Sequence, residues 1–218
     1  LWAIFILILT VFLSACLPPP EEVKPDSCSS LEGAAKDDCY YEERVCSKIE
    51  SPVVRDSCVA ELAKMKNDMA VCELVQDVKA RGYCQEEIAV LQNDHSFCSE
   101  IEDSSWEDNC HFKLAIANEK DVYCSLIDNI GQKETCFRDI AYATNNELLC
   151  EFLPSAKKDI CFNRIAQETL NFELCEQISV SINKGACQLK LAKLSGQAEN
   201  CQKVSFTSMR TICEEHYS

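Results

Sequence analysis

CSEIEDSSWEDNCHFKLAIANEKDVY, running from Cys98 to Tyr123, decides how the rest of the chain is read. Its cysteines stand twelve positions apart (110 − 98), and the next cysteine, Cys124, opens an equivalent line. Working outward, the pattern recurs as CSKIESPVVRDSCVAELAKMKNDMAV from Cys46 and CELVQDVKARGYCQEEIAVLQNDHSF from Cys72. CSLIDNIGQKETCFRDIAYATNNELL follows from Cys124, so that cysteines at 46, 72, 98, 124 and 150 keep a period of 26. The copy from Cys150 is one residue shorter, a copy from Cys175 follows, Cys201 opens a last one ending at Ser218, and Cys28 opens an abbreviated first one. A period of this size marks a repeat architecture, in which each unit buries its apolar face only against its neighbours.

The columns of the repeat have a helical rhythm. Three residues after each first cysteine stands an aliphatic residue: Leu31, Ile49, Val75, Ile101, Ile127, Leu153, Ile178 and Val204. Four residues after each second cysteine come Leu62, Ile88, Leu114, Ile140, Ile165 and Leu191. Each of these is followed by alanine, at 63, 89, 115, 141, 166 and 192. Apolar residues at i and i+4 form one stripe of a helix, not the alternation of a strand. The alanine column predicts close approach of neighbouring helices. Asn67-Asp68, Asn93-Asp94 and Asn145-Asn146 are N-cap candidates for a short helix. Ser51-Pro52, Asp77, Asp103, Asn129 and Ser155 are candidates for a longer one, with Pro52 in a first turn, where its missing N–H costs nothing. The expectation is therefore an all-α solenoid of about eight hairpins over residues 28–218, each a short helix of ~8 residues and a longer one of ~14.

In such a hairpin the two cysteines of a copy face each other at similar height, within the ~5.5 Å between Cα atoms that a disulfide needs. Pairing within each copy uses all sixteen cysteines after Cys16: Cys28 with Cys39, Cys46 with Cys58, Cys72 with Cys84, Cys98 with Cys110, Cys124 with Cys136, Cys150 with Cys161, Cys175 with Cys187 and Cys201 with Cys213. Pairing across copies would strand Cys28, Cys39, Cys46 and Cys213, so the within-hairpin scheme is preferred. Each staple closes a loop of about a dozen residues and removes roughly 3 kcal/mol of unfolded-state entropy. Isolated helices this short are marginal in water, so the staple matters. Disulfides in this number call for an oxidising compartment.

The N-terminal segment points the same way. Leu1–Leu13 is uncharged and apolar, shorter than the ~20 residues of a spanning helix, and is followed by the small-residue context Leu13-Ser14-Ala15-Cys16. That tetrapeptide resembles the lipobox of prokaryotic lipoproteins. The resemblance implies a signal peptide over 1–15, already truncated at its N-terminus, cleavage before Cys16, and a diacylglyceryl group on the Cys16 sulfur. Residues 16–27, with LPPPEEVKPDS after the cysteine, read as an extended tether. The repeat region is similar to tetratricopeptide-type α-hairpin repeats in architecture alone, since their tryptophan, glycine and tyrosine signatures are missing.

The chain carries few residues in patterns that chemistry needs. The 218 residues carry 36 acidic against 21 basic side chains, a formal charge of −15, which argues against nucleic acid and against adsorption to anionic membranes. Zinc knuckles of the C-x2-4-C type, redox C-x-x-C pairs and phosphate-cradling glycine loops do not occur. His95, His111 and His216 occupy unrelated columns, which speaks against a shared acid–base role. The reading is a non-enzyme without metal or cofactor. The one suggestive feature is apolar character in the turn between paired cysteines: Val53, Val54, Val78, Trp106, Ile130, Ile182, Phe206 and Met209. Projected along one edge, Val54, Val78, Trp106, Ile130, Ile182 and Phe206 would form a binding ridge; packed against the preceding helix, they would be structural. The expected function is an exported, lipid-anchored binding or structural module of the cell envelope, at its periplasmic face or surface, with a macromolecular partner, most simply a protein. The alternatives are an envelope enzyme or enzyme accessory, and a redox or metal-handling protein using its cysteines.

Overall fold

The structure, a computed structural model, describes residues 26–218; the expected signal peptide, Cys16 and all but the last two residues of the expected tether lie outside that range. The chain divides into two compact units, one up to Ile49 and one spanning Glu50–Ser218. Every element is helical, and no strand occurs among the described residues. The first unit holds α1 (Gly33–Glu42), closed by the Cys28–Cys39 disulfide. Asp26 ties this unit together by accepting hydrogen bonds from Tyr40 Oη at 2.9 Å and from Lys48 Nζ.

In the second unit six helices of 15 residues follow one another: α2 (Pro52–Lys66), α3 (Val78–Gln92), α4 (Ser104–Asn118), α5 (Ile130–Thr144), α6 (Ser155–Thr169) and α7 (Ser181–Ser195). The series closes with α8 (Thr207–Tyr217). Each long helix packs chiefly on the ones before and after it, the nearest-neighbour arrangement of a solenoid. Both aliphatic columns of this unit form the core: Val75, Ile101, Ile127, Leu153, Ile178 and Val204 are buried, as are Ile88, Leu114, Ile140, Ile165 and Leu191. The six alanines are fully buried, as close helix approach demands. The columns fray toward the N-terminus, where Leu62 is half-buried and, in the first unit, Leu31 is exposed.

Seven within-copy disulfides have Cα–Cα distances of 5.5–5.7 Å, and Cys46 and Cys58 are also disulfide-bonded. The second cysteine is always the seventh residue of its helix, as Cys84 is in Val78–Gln92 and Cys187 in Ser181–Ser195. This fixed depth places every bridge at the same height.

The short elements depart from expectation. They span three to six residues, not eight, and several are 3-10 segments of two turns or fewer, such as His95–Glu100 and Glu147–Phe152. Two constraints leave no room for more. At the front, Asp68, Asp94, Asn146 and Asn171 accept the backbone N–H two residues on. At the back, the N–H of each column aliphatic bonds the carbonyl of the cysteine three before it, as Ile101 does to Cys98 at 3.1 Å, and Ile49, Ile101, Leu153 and Val204 are extended. No more than two turns of 3-10 helix fit between these two ends.

The long helices end in left-handed residues: Asn67, Asn93, Glu119, Asn145, Leu170 and Gly196 all have φ between 51° and 68°. In the first five the following N–H reaches back to the column alanine, for example Asp94 N to Ala89 O at 3.1 Å, a Schellman closure. The first asparagine of each Asn-Asp or Asn-Asn pair is therefore a C-cap, and only the second is the expected N-cap. At the other ends Asp77, Asp103 and Asn129 cap as expected, whereas Ser51 makes no side-chain cap bond. Ser155 is already the first helical residue, behind Pro154.

Candidate binding surface

The six ridge candidates divide into two kinds. Val78, Ile130 and Ile182 stand at the starts of α3, α5 and α7 with 44%, 74% and 53% of their surface exposed. Val54 is half-buried, and its neighbour Val53 takes the exposed place. Trp106 and Phe206 instead turn inward onto the preceding helix. A Cβ at Gly82 would meet Trp106 Cδ1 at 2.6 Å, and one at Gly185 would meet Phe206 Cδ2 at 2.6 Å and Met209 Sδ at 3.0 Å. Each aromatic occupies a niche that only glycine leaves open. Trp106 also meets the Tyr83 ring edge-on at 5.4 Å. These two members of the ridge are thus inter-repeat packing, while Val78, Ile130 and Ile182, on every second repeat, are left as apolar projections on the turn edge.

A third set of residues went unread in the sequence. Two positions before the second cysteine, Asp56, Asp108 and Asp159 are buried. Each carboxylate reaches into the next repeat and accepts two successive backbone N–H groups: Gln76 and Asp77 at 3.2 and 2.9 Å, Asp128 and Asn129 at 2.7 and 2.9 Å, Ser179 and Val180 at 2.9 and 3.3 Å. Those amides are orphan donors at the mouth of the next long helix, where a carboxylate is favoured. For Asp159, burial raises the pKa, but the bonds from Ser179 N–H, Ser179 Oγ and Val180 N–H outweigh it and hold the carboxyl below its ordinary value.

One position further forward runs a column of cations broken once by an acid: Lys36, Arg55, Arg81, Glu107, Lys133, Lys158, Lys184 and Arg210. Arg81 Nε and Arg210 Nε donate at 3.0 Å to the carbonyls of Val75 and Val204, where the short element ends. Lys158 and Lys184 pair with Glu151 at 2.7 Å and Glu176 at 3.2 Å. These four cations close the C-terminal ends of short elements, a structural use.

Two buried ionisable groups lie in the same stack. Glu86 receives Lys113 Nζ at 2.6 Å and Asn109 Nδ2 at 2.8 Å on Oε1, while Oε2 has no protein partner; burial raises its pKa. His111 occupies the column filled by Phe137 and Phe162 in later repeats; its Nδ1 is unpartnered and burial lowers its pKa. His95 is exposed beside the Tyr123 ring at 4.9 Å, and His216 is exposed in α8, so the three histidines do not share one site.

Among the described residues, the one close group of metal-ligating types is Cys28, Cys39 and Glu43, and its two sulfurs are bonded to each other. A polar hollow of about 210 Å³ lies between α5 and α6, lined by Tyr142, Asn145, Arg164, Ile165 and Glu168. Arg164 is paired with Glu168 at 3.0 Å within it. No helix among the described residues is long and apolar enough to cross a membrane. The oxidised cysteines indicate an oxidising, extracytoplasmic environment. Comparison of the chain with protein-family models, with curated proteins and with solved structures finds no match.

Proposed function

We propose that the protein is an exported lipoprotein held to the cell envelope through Cys16, serving as a non-catalytic binding or structural module at the cell surface. The observation that carries this reading is a stapled scaffold with apolar side chains projecting at regular intervals, Val78, Ile130 and Ile182, from one edge. Repeat scaffolds bind extended macromolecules by such edges, with the interaction spread over several units. Staples reduce the entropy that ordering a binding edge would otherwise cost. The lipobox likeness at Leu13-Ser14-Ala15-Cys16 supports the anchor.

The decisive experiment retains envelope proteins on the oxidised chain and on a triple variant, Val78→Asp with Ile130→Asp and Ile182→Asp. Loss of the retained protein from the variant, with melting unchanged, supports the reading; equal retention overturns the ridge. Fractionation of Cys16→Ser tests the anchor separately, since an acylated protein would leave the membrane fraction or remain as an unprocessed precursor. Titratable thiols or stoichiometric zinc in the oxidised chain would favour redox or metal handling instead.

A further inference from the structure

A second set of exposed apolar residues lies on the short elements. Val122 and Leu126 flank Cys124 at −2 and +2, and Leu148 and Phe152 flank Cys150 at the same two positions of the next repeat. All four are well exposed, at 58%, 45%, 68% and 58%. Single exposed apolar residues are ordinary on any protein, but four at matched positions of adjacent repeats are not. Phe152 is also held in a fixed orientation, its ring stacked on Phe137 at 4.4 Å and 10°. Elsewhere in these two columns the chain carries mainly polar or small side chains: Ala70, Ser96, Glu173 and Glu199 at −2; Leu74, Glu100, Gln177 and Lys203 at +2. The quartet is thus bounded along the repeat axis by carboxylates, with Glu100 before it and Glu173 after it, both exposed.

The charge pattern selects among occupants. A second copy of a chain with net charge −15 would bring like charge against Glu100 and Glu173. An anionic bilayer is disfavoured for the same reason. What fits is a segment whose apolar stripe covers the quartet while its cations meet the flanking carboxylates. We infer that the face formed by Val122, Leu126, Leu148 and Phe152 docks a basic amphipathic helix of a partner protein. This rests on the reading of the chain as a binding module and names the chemistry of one partner segment. The partner's apolar stripe covers the quartet, and lysines or arginines at its two ends pair with Glu100 and Glu173.

The test uses the oxidised chain and two synthetic peptides, an amphipathic leucine/lysine helix and its leucine/glutamate counterpart, followed by fluorescence anisotropy and amide exchange. The leucine/lysine peptide is expected to bind and to slow exchange at Asp121–Ser125 and Glu147–Phe152, with affinity falling as salt rises; the glutamate peptide is not. Val122→Ser with Leu148→Ser should weaken binding by about tenfold or more, in keeping with two lost apolar contacts. This pair avoids disturbing the Phe137–Phe152 stack, and Phe152→Ser serves as a second variant. Leu194→Ser, at an exposed apolar position of α7 outside both surfaces, should leave peptide binding within about twofold of the parent chain. The inference is overturned if the leucine/lysine peptide does not bind, if the glutamate peptide binds equally, or if the short-element variants bind as well as the parent. A footprint moved to the turn edge would likewise overturn it while leaving the proposed ridge standing.

Discussion

Neighbouring repeats are joined in two chemically different ways, and the contrast shows what the stack requires. At the junctions that follow α2, α4 and α6, a buried aspartate receives two amides of the next repeat. At those that follow α3 and α7, the same position is Gly82 or Gly185, and an aromatic of the next repeat fills the space. After α7 the polar duty passes to Gln188, whose Oε1 takes Ser205 N–H at 2.8 Å and Ser205 Oγ at 2.7 Å. The junction after α5 fits neither type, for a reason visible in the chain. Pro154 stands where the first donating amide would be, and proline has no N–H. An aspartate there would lose the first of its two amides, and Glu134 instead pairs with Lys157 at 2.6 Å. The lesson is that each junction must satisfy the helix mouth and fill the space behind it, and different side chains divide these tasks.

The largest effect should come from breaking a carboxylate junction. Asp108→Ala removes both carboxylate hydrogen bonds to the Asp128 and Asn129 amides, a loss of about 4 kcal/mol. Denaturation should show it, and amide exchange should rise at those two residues before spreading to α5. An unchanged midpoint would mean that the carboxylate does not hold the junction.

Removing a staple should cost slightly less and act within a hairpin. Cys98→Ser with Cys110→Ser removes one closed loop, worth about 3 kcal/mol. Exchange should increase within His95–Asn118 and in the faces stacked on it, while distant repeats stay protected. Peptide mapping without reduction should recover the 72–84 and 98–110 links. Cooperative loss of every repeat at once would contradict nearest-neighbour stacking.

A glycine junction should respond with a reversible sign. Gly82→Ala places a methyl against Trp106 and should destabilise by about 1–3 kcal/mol. In a Trp106→Ala background the niche is empty, and the same substitution should stabilise by up to about 1 kcal/mol, the helical preference of alanine over glycine. A double-mutant cycle measures this directly, and additivity would show that the contact carries no coupling.

The smallest effects are those of pH. Asp159 has a lowered folded pKa, so its contribution is present above the unfolded value and lost as pH falls through the folded one. His111, lowered chiefly by burial and further by His95 while Asp108 opposes, acts in the same direction: its contribution is lost as pH falls below the unfolded value toward the folded one. Glu86, raised by burial, has the opposite sign, its contribution being present below the unfolded value and lost as pH rises through the folded one. His111→Phe and Asp159→Asn should each flatten the acid limb of a stability–pH curve, and Glu86→Gln the other slope. An acid limb unchanged in both of the first two variants would remove these groups as its origin.

Much of this architecture could be read directly. The period, the helical columns, the cysteine pairing and most N-caps depend on residues within one hairpin, and side chains at i, i+3 and i+4 of a helix are neighbours whatever surrounds them. The short elements are shorter than the repeat suggests because capping at Asp94 or Asn146 and the extended residue at Ile101 or Leu153 leave room for only six residues, a limit that periodicity does not express. The aspartate and cation columns were legible as columns, but their use was not: Asp56 is a plausible surface residue until the amides twenty positions later are brought to it.

By itself, then, the order of amino acids determined the 26-residue helical hairpin, its staple and the buried aliphatic and alanine stripes, because local geometry and loop closure leave few alternatives for such a pattern. Only the tertiary structure decided the fate of the apolar turn residues. Trp106 and Ile130 both stand near the start of a long helix, yet one fills a glycine niche and the other faces solvent. The same is true of Val122, Leu126, Leu148 and Phe152, which read as ordinary members of a helical pattern. Their exposure follows from which side of each short turn the neighbouring repeat covers, and that depends on contacts between residues a full repeat apart.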